Sequence, residues 1–226
     1  MSLRDIITGR HTVKGPAPDR LFAITTAYIT LQSEHSIAPA GVAAIVFQAL
    51  ATSEFEGVIR EMEDVVKATG GESGTTVATQ DDSYGYRWMV LRNPAGQPSV
   101  EDLAVGINGV SSSIETAGHG ERLLCAVFAF TDGRGRRVYF IYNYKRGYWY
   151  PFIPTSPDGA PARAASGGEA VAELSESDGE RPPSAPGAES GQRDTERELR
   201  LKAQMASELP IEPELERWFP LWGIPI

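Results

Sequence analysis

Three histidines, one cysteine and a scatter of carboxylates are the groups in this chain that could do chemistry. His11, His35 and His119 lie in three separate loop-like contexts. None has a second ligand three or four residues away, so the spacing argues against a metal site. Cys125 sits inside Leu123-Leu124-Cys125-Ala126-Val127-Phe128. Burial among apolar groups raises a thiol pKa, so the expected role is a small buried hydrophobe and not a nucleophile. As the one cysteine it can form no intrachain disulfide, which fits a reducing compartment. Gly109-Val110-Ser111-Ser112-Ser113 lacks the second glycine of a nucleophile elbow and falls on a predicted helix. Gly118-His119-Gly120 follows that helix instead of opening one, so it reads as a helix stop and not a phosphate cradle. Asp81-Asp82 is the most suggestive carboxylate pair. It could bind a cation or divide acid and base roles, but a turn accounts for it without chemistry. The expectation is a non-enzymatic chain with no cofactor or metal.

Two other constellations suit recognition. Lys145-Arg146-Gly147-Tyr148-Trp149-Tyr150 sets two cations beside three aromatics, the residue types that dominate interface hot spots. An anionic partner surface or a cation–π contact would use them. The competing reading is a sheet edge whose rings face the core while the charges guard the turn. At the N-terminus, Leu3, Ile6 and Ile7 form a miniature amphipathic pattern ahead of Arg10 and Lys14. That leader could dock in a groove or touch an anionic membrane, although eight residues bind lipid weakly on their own; packing on its own domain or fraying is the competing and stronger reading.

These residues need a scaffold, and the chain offers one. Asp19 could cap a helix carrying Leu21, Phe22, Ile24, Ala27, Tyr28 and Leu31; Thr25, Thr26 and Thr30 weaken it, so a break inside this stretch is expected. Pro39-Ala40-Gly41 reads as a turn, and the apolar run from Val42 as a buried strand ending near Phe47. Residues 53–68 predict a helix, with Ser53 and Glu56 as a capping box and Ala68-Thr69-Gly70-Gly71 as its stop. Strands are predicted over 75–79 and 84–92, joined at Asp81-Asp82-Ser83. A second long helix covers 99–117, capped by Ser99. Its Gly106-Ile107-Asn108-Gly109 centre needs tertiary packing to hold it.

The strongest local signal is a hairpin: residues 123–130 and 137–144 flank Thr131-Asp132-Gly133-Arg134-Gly135. After Lys145-Arg146-Gly147, the prolines of Tyr148-Trp149-Tyr150-Pro151-Phe152-Ile153-Pro154 restrict that segment to an edge strand or a surface strap. Strands adjacent in sequence, with helices between the pairs, predict an α+β fold with a largely antiparallel sheet flanked by helices.

Composition divides the 226 residues into a core over 1–155, an acidic linker over 156–194 and a closing segment over 195–226. The net charge of −9 is uneven: the first segment is at −2, the second at −5, the third at −2. The balance argues against nucleic-acid binding, which needs a basic stripe. Residues 156–194 hold no aromatic side chain and are rich in Pro, Gly, Ser, Ala and Glu, a composition that favours disorder. Thr195 and Glu198 suggest a capped helix running to Pro210. Leu215-Glu216-Arg217-Trp218-Phe219-Pro220-Leu221-Trp222-Gly223 is too apolar to stay exposed, so Trp218, Phe219 and Trp222 should fold back or meet a partner. No signal peptide and no run approaching the ~20 apolar residues of a membrane span is visible, so a cytoplasmic chain is expected, possible membrane contact being peripheral.

Four separated stretches carry a family likeness: Asp19-Arg20-Leu21-Phe22-Ala23-Ile24; Asp82-Ser83-Tyr84-Gly85-Tyr86-Arg87-Trp88; Tyr144-Lys145-Arg146-Gly147 running to Tyr150-Pro151-Phe152; and Arg217-Trp218-Phe219-Pro220-Leu221-Trp222-Gly223. Together they resemble the PspA-associated PspAB family over nearly all of 1–155 and 195–226. The leader Leu3-Arg4-Asp5-Ile6-Ile7-Thr8-Gly9-Arg10 looks like the family's as well. The resemblance implies an adaptor beside PspA, the coiled-coil membrane-remodelling protein of the phage shock response, with the membrane protease HtpX as an associated partner. It carries over no catalytic residue. It also suggests, at fold level only, YbjN-like and secretion-chaperone-like domains. The acidic segment 156–194 looks longer than the family's own. A peptide- or helix-binding chaperone is the alternative function, and a hydrolase using Asp81, Asp82 or His119 a more remote one.

Overall fold

The computed structural model describes residues 18–82, 85–155 and 192–226. Its strands are β1 (Ile37–Gln48), β2 (Thr76–Asp81), β3 (Tyr86–Arg92), β4 (Leu123–Asp132), β5 (Arg137–Asn143) and β6 (Tyr148–Phe152). They form one six-stranded sheet in the order β2-β3-β1-β4-β5-β6, every neighbouring pair antiparallel. The helices are α1 (Pro18–Phe22), α2 (Ile24–His35), α3 (Ser53–Ser73), α4 (Val100–Thr116) and α5 (Thr195–Met205). This is the expected α+β fold.

Side-chain alternation sorts the central strands between two cores. Ala43, Ile45 and Phe47 of β1, with Ala126, Phe128 and Phe130 of β4, pack under the helices. Val42, Ala44, Val46, Cys125, Val127 and Ala129 face the other way and pack with Trp218 and Leu221 of the C-terminal segment. A strand covered on both faces has no polar side to show, which is why β1 and β4 read as continuous apolar runs.

Several boundaries differ from expectation for identifiable reasons. Pro39-Ala40-Gly41 is not a turn but an irregularity inside β1, whose register against β4 shifts between Pro39 and Val42. Gly41 takes the positive φ (68°) that this bulge demands. Helix α3 runs past Gly70 and Gly71 to Ser73, and the left-handed glycine that follows it is Gly74 (φ 70°). Its first turn is capped by Thr52, whose Oγ1 accepts from the Phe55 amide at 3.3 Å. Glu56, expected in a capping box with Ser53, instead accepts from Arg87. Likewise Asp194, and not Thr195, caps α5 by accepting from the Arg197 amide.

Other expectations hold. Ser99 caps α4 by accepting from the Asp102 amide. The chain breaks between α1 and α2 at Ala23. At Gly106 of α4 a Cβ would overlap Leu91 Cδ2, so this glycine lets the helix lie close on β3. Strand β6, containing Pro151, is an edge strand. The chain after Pro210 then returns along it: the Trp149 amide donates to the Pro210 carbonyl, and the Glu212 amide to the Trp149 carbonyl. Of the predicted linker, residues 156–191 lie outside the described residues. Its last three fold against the end of β6, where the Thr155 amide donates to the Gln192 carbonyl and the Asp194 amide to the Ile153 carbonyl.

Candidate functional site

The turn from β5 to β6 gathers the cations that the sequence singled out, together with one it did not. Gly147, at φ 69°, allows the tight reversal after Asn143. Lys145 stands exposed on this turn, Arg146 and Tyr148 are half-buried, and Arg20 reaches over from α1. The Arg20 guanidinium lies 5.1 Å from the centre of the Tyr148 ring and that of Arg146 lies 5.9 Å from it. Tyr148 is therefore flanked by two cations, each within cation–π range.

The arrangement is fixed from beneath. Trp149 Nε1 donates to the Arg20 carbonyl at 2.7 Å, tying α1 to β6. Arg20 Nη1 donates to the Gly147 carbonyl at 3.3 Å. Arg146 grips Glu212 through both Nε and Nη2, and its Nη2 lies 3.6 Å from Glu214. A bidentate pair of this kind orients the guanidinium plane as well as neutralising it. The result is a rim of Arg20, Lys145, Arg146 and Tyr148 in which the Tyr148 ring is held between two guanidinium groups.

Not every residue of the predicted constellation belongs to that rim. Trp149 and Tyr150 are buried, so as partner contacts they are corrected to core residues. Trp149 packs on Phe128 and Tyr142, and Tyr150 stacks on Trp218 with its hydroxyl donating to the Phe219 carbonyl. Trp218 is buried too, which removes it from the predicted contact set. Phe219 and Trp222 are half-buried on the other face of the sheet, Trp222 edge-on to Phe152. Both faces of the sheet are covered, so alternation sends Trp149 into one core and Tyr150 into the other, while Tyr148, the first residue of β6, stays at the rim. Leu3, Ile6 and Ile7 lie outside the described residues.

A second concave region, of about 630 Å³, opens at the opposite end of β5 between the β4–β5 turn, the end of α2 and α5. Its floor is Asp132, which the sequence identified only as a turn residue. The Asp132 carboxylate accepts from the amides of Arg134 and Arg136, from Arg136 Nε and from Arg197 Nη1. Burial opposes the charge, but these four donors outweigh it and hold the carboxyl well below the usual carboxylate range. A group so firmly ionised is a poor proton carrier near neutrality and a good clasp. Arg134, Arg136, Arg197 and Arg200 are balanced here by Glu34, Asp132, Asp194 and Glu196.

Asp81 and Asp82 serve the hairpin. Asp81 accepts two bonds from Arg87, and Asp82 accepts from the Tyr86 amide and from Trp88 Nε1. Cys125 is buried, and desolvation pushes its thiol up to about 12, as the apolar run implied. His119 packs edge-on against Phe55, and His35 sits at the end of α2. Among the described residues no cluster of metal-ligating side chains occurs, and no helix is long and apolar enough to cross a membrane.

With the geometry in place, the family model of PspAB, PspA associated protein B, matches residues 1–165 and 179–226. The unmatched stretch is thus 166–178, a narrower interval than the expected insertion over 156–194. No curated protein and no solved structure matches the chain.

Proposed function

This chain belongs to the PspAB family, and from that premise we propose that it is a non-enzymatic adaptor of a PspA-type membrane-stress response. The family's description gives association with PspA; the adaptor role, the coiled-coil contact and a further link to an HtpX-type protease are our reading. The observation that carries it is the rim of Arg20, Lys145, Arg146 and Tyr148. It is preorganised by Trp149 and Glu212, and with the Arg146 fork held by Glu212 it is the exposed cations Arg20 and Lys145 that present charge to acidic side chains. A charged coiled-coil surface offers such side chains in rows. We place the adaptor in the cytoplasm, at the membrane only through its partner.

Affinity capture from a native host, with crosslinking at physiological salt, tests this. The intact chain should recover a PspA-like coiled-coil protein, and Arg20→Glu combined with Tyr148→Ala should lose it while keeping the fold. Recovery of no membrane-stress protein by the intact chain, or undiminished recovery by the double variant, would count against the reading. The second result would spare the adaptor role and move it to another surface.

A further inference from the structure

The sheet has two edges, and they are treated differently. The β6 edge contains a proline and is paired by the returning segment at Pro210 and Glu212. The β2 edge has no strand beyond it among the described residues. Its phase follows from the hairpin: the Asp82 amide donates to the Tyr86 carbonyl at 2.9 Å. In an antiparallel ladder such exchanges recur at every second residue. Gln80, Ala78 and Thr76 therefore bond to β3, while Val77, Thr79 and Asp81 turn their N–H and C=O groups outward. These six backbone groups have no partner among the described residues.

Protein edges are normally guarded by a proline, a lysine or a bulge. Strand β2 is Thr-Val-Ala-Thr-Gln-Asp, with an unbroken register against β3 from Thr76 to Asp81. What surrounds it is negative. The side chains of Asp81 and Glu56 are 54% and 42% exposed, whereas Arg87, which bridges them, is only 14% exposed. The Arg87 charge is spent inward. Thr79 Oγ1 donates to Glu63, a third carboxylate, which Lys67 Nζ also meets at 3.4 Å, so these three carboxylates face two cations and leave one net negative charge. Helix α3, which packs on β2, carries six carboxylates and two cations in its sequence.

We propose that the β2 edge accepts an extended segment of a partner protein as a seventh strand, with Lys or Arg at alternate positions facing Glu56, Glu63 and Asp81. Main-chain bonds from Val77, Thr79 and Asp81 supply the docking, and the carboxylates select the basic side chains. A second copy of this chain is the poorer occupant, because pairing β2 with itself would set two acidic α3 helices side by side. This surface is separate from the Tyr148 rim and stands independently of the adaptor reading.

The probe is a labelled, blocked octapeptide of alternating Lys and Val, titrated onto the full chain, with a Glu/Val octapeptide as control. The Lys/Val peptide should bind, weaken with salt, and slow amide exchange at Val77, Thr79 and Asp81. Thr79→Pro removes an outward donor and leaves the β2–β3 bonds intact, so it should weaken binding about tenfold or more while the fold persists. Equal binding of the Glu/Val peptide, or undiminished binding by Thr79→Pro, would overturn the proposal. So would protection of the three amides that rises with protein concentration in the absence of peptide, which would identify a self-pairing edge. If Thr79→Pro fails to fold, the amide protection pattern of the unaltered chain decides.

Discussion

Glu198 and Asp132 are both carboxylates that water barely reaches, and their surroundings push them in opposite directions. Glu198 is fully buried on α5, where it accepts from the Ile153 amide and from Arg193. Burial is the larger influence and raises its pKa despite those donors. A carboxyl raised in the folded state binds its proton more tightly there than in the unfolded chain. It therefore favours folding in acid, and that contribution is lost as pH rises through the folded value. Arg193→Ala would leave Glu198 charged and unpaired at neutral pH, at a cost on the order of 3–5 kcal/mol. The deficit should be largest at a pH above the raised folded-state value of Glu198 and shrink in acid, as Glu198 takes up a proton. Urea unfolding at pH 7.5 and pH 5 checks this; an equal deficit at both would show that Arg193 acts through its contact with the Trp218 carbonyl instead.

Asp132 behaves in the reverse sense, since its pKa is lowered in the folded state. Its contribution is present above the usual carboxylate range and is lost as pH falls through the depressed value. Asp132→Asn should destabilise the protein by roughly 2–4 kcal/mol at pH 7, because Arg136 and Arg197 lose a shared anion. Below about pH 4 the variant's stability should fall less steeply than that of the intact chain. Parallel thermal melts across pH 2.5–7 read this out, and parallel curves would refute it.

At the scale of the element, helix α4 contains a controlled comparison. Gly106 and Gly109 are one turn apart, but a Cβ at Gly106 would overlap Leu91, while one at Gly109 meets nothing within 4 Å. Alanine gains about 1 kcal/mol over glycine in a helix interior. Gly109→Ala should therefore stabilise the protein by about 0.5–1 kcal/mol. Gly106→Ala should destabilise it by about 1–2 kcal/mol, overpacking having outweighed propensity. Chemical denaturation of the two variants would sink the idea if the signs agreed. The sequence identified this stretch as one that packing must hold, yet could not say which glycine was the contact, because that depends on where Leu91 lies.

The same limit explains what else was and was not legible. The β4–β5 hairpin was readable because Asp132-Gly133 encodes its turn within a few residues. The bulge at Pro39-Ala40-Gly41 was not, because bulges and turns ask for the same residues, and only pairing with Phe130 and Ala129 tells them apart. Lys145, Arg146 and Tyr148 were identifiable as a recognition cluster by type and spacing. Arg20 was missed, because 127 residues separate it from Gly147, its hydrogen-bond acceptor. Trp149 and Tyr150 looked like interface anchors because large aromatics suit a core and a hot spot equally well. The covering of both sheet faces, which decides between those roles, is a tertiary fact.

For the molecule as a whole, the C-terminal segment is what makes the sheet two-sided. It has no regular structure beyond the short turn at Leu215–Arg217, yet Trp218 and Leu221 are buried against Tyr150, Phe152 and their neighbours. Its ends are pinned by Trp218 Nε1 donating to the Glu212 carbonyl, by Arg92 donating to the Pro225 carbonyl, and by the Tyr139 hydroxyl donating to the Ile226 carbonyl. Fully burying a large apolar side chain contributes about 1.5–3 kcal/mol, and the segment supplies two such chains and three partly buried ones. That sum is comparable to the whole stability of a typical domain, about 5–15 kcal/mol. A chain ending at Arg217 should accordingly expose Ile141, Tyr150 and Phe152, bind a hydrophobic dye and self-associate on size-exclusion chromatography. Trp218→Ala, which opens only the centre of the seal, should cost about 3–5 kcal/mol and leave the elution volume of the intact chain unchanged. A truncated chain that eluted no larger than the intact one, stayed dye-silent and was as heat-resistant would mean that the second face is sealed by something other than residues 218–226.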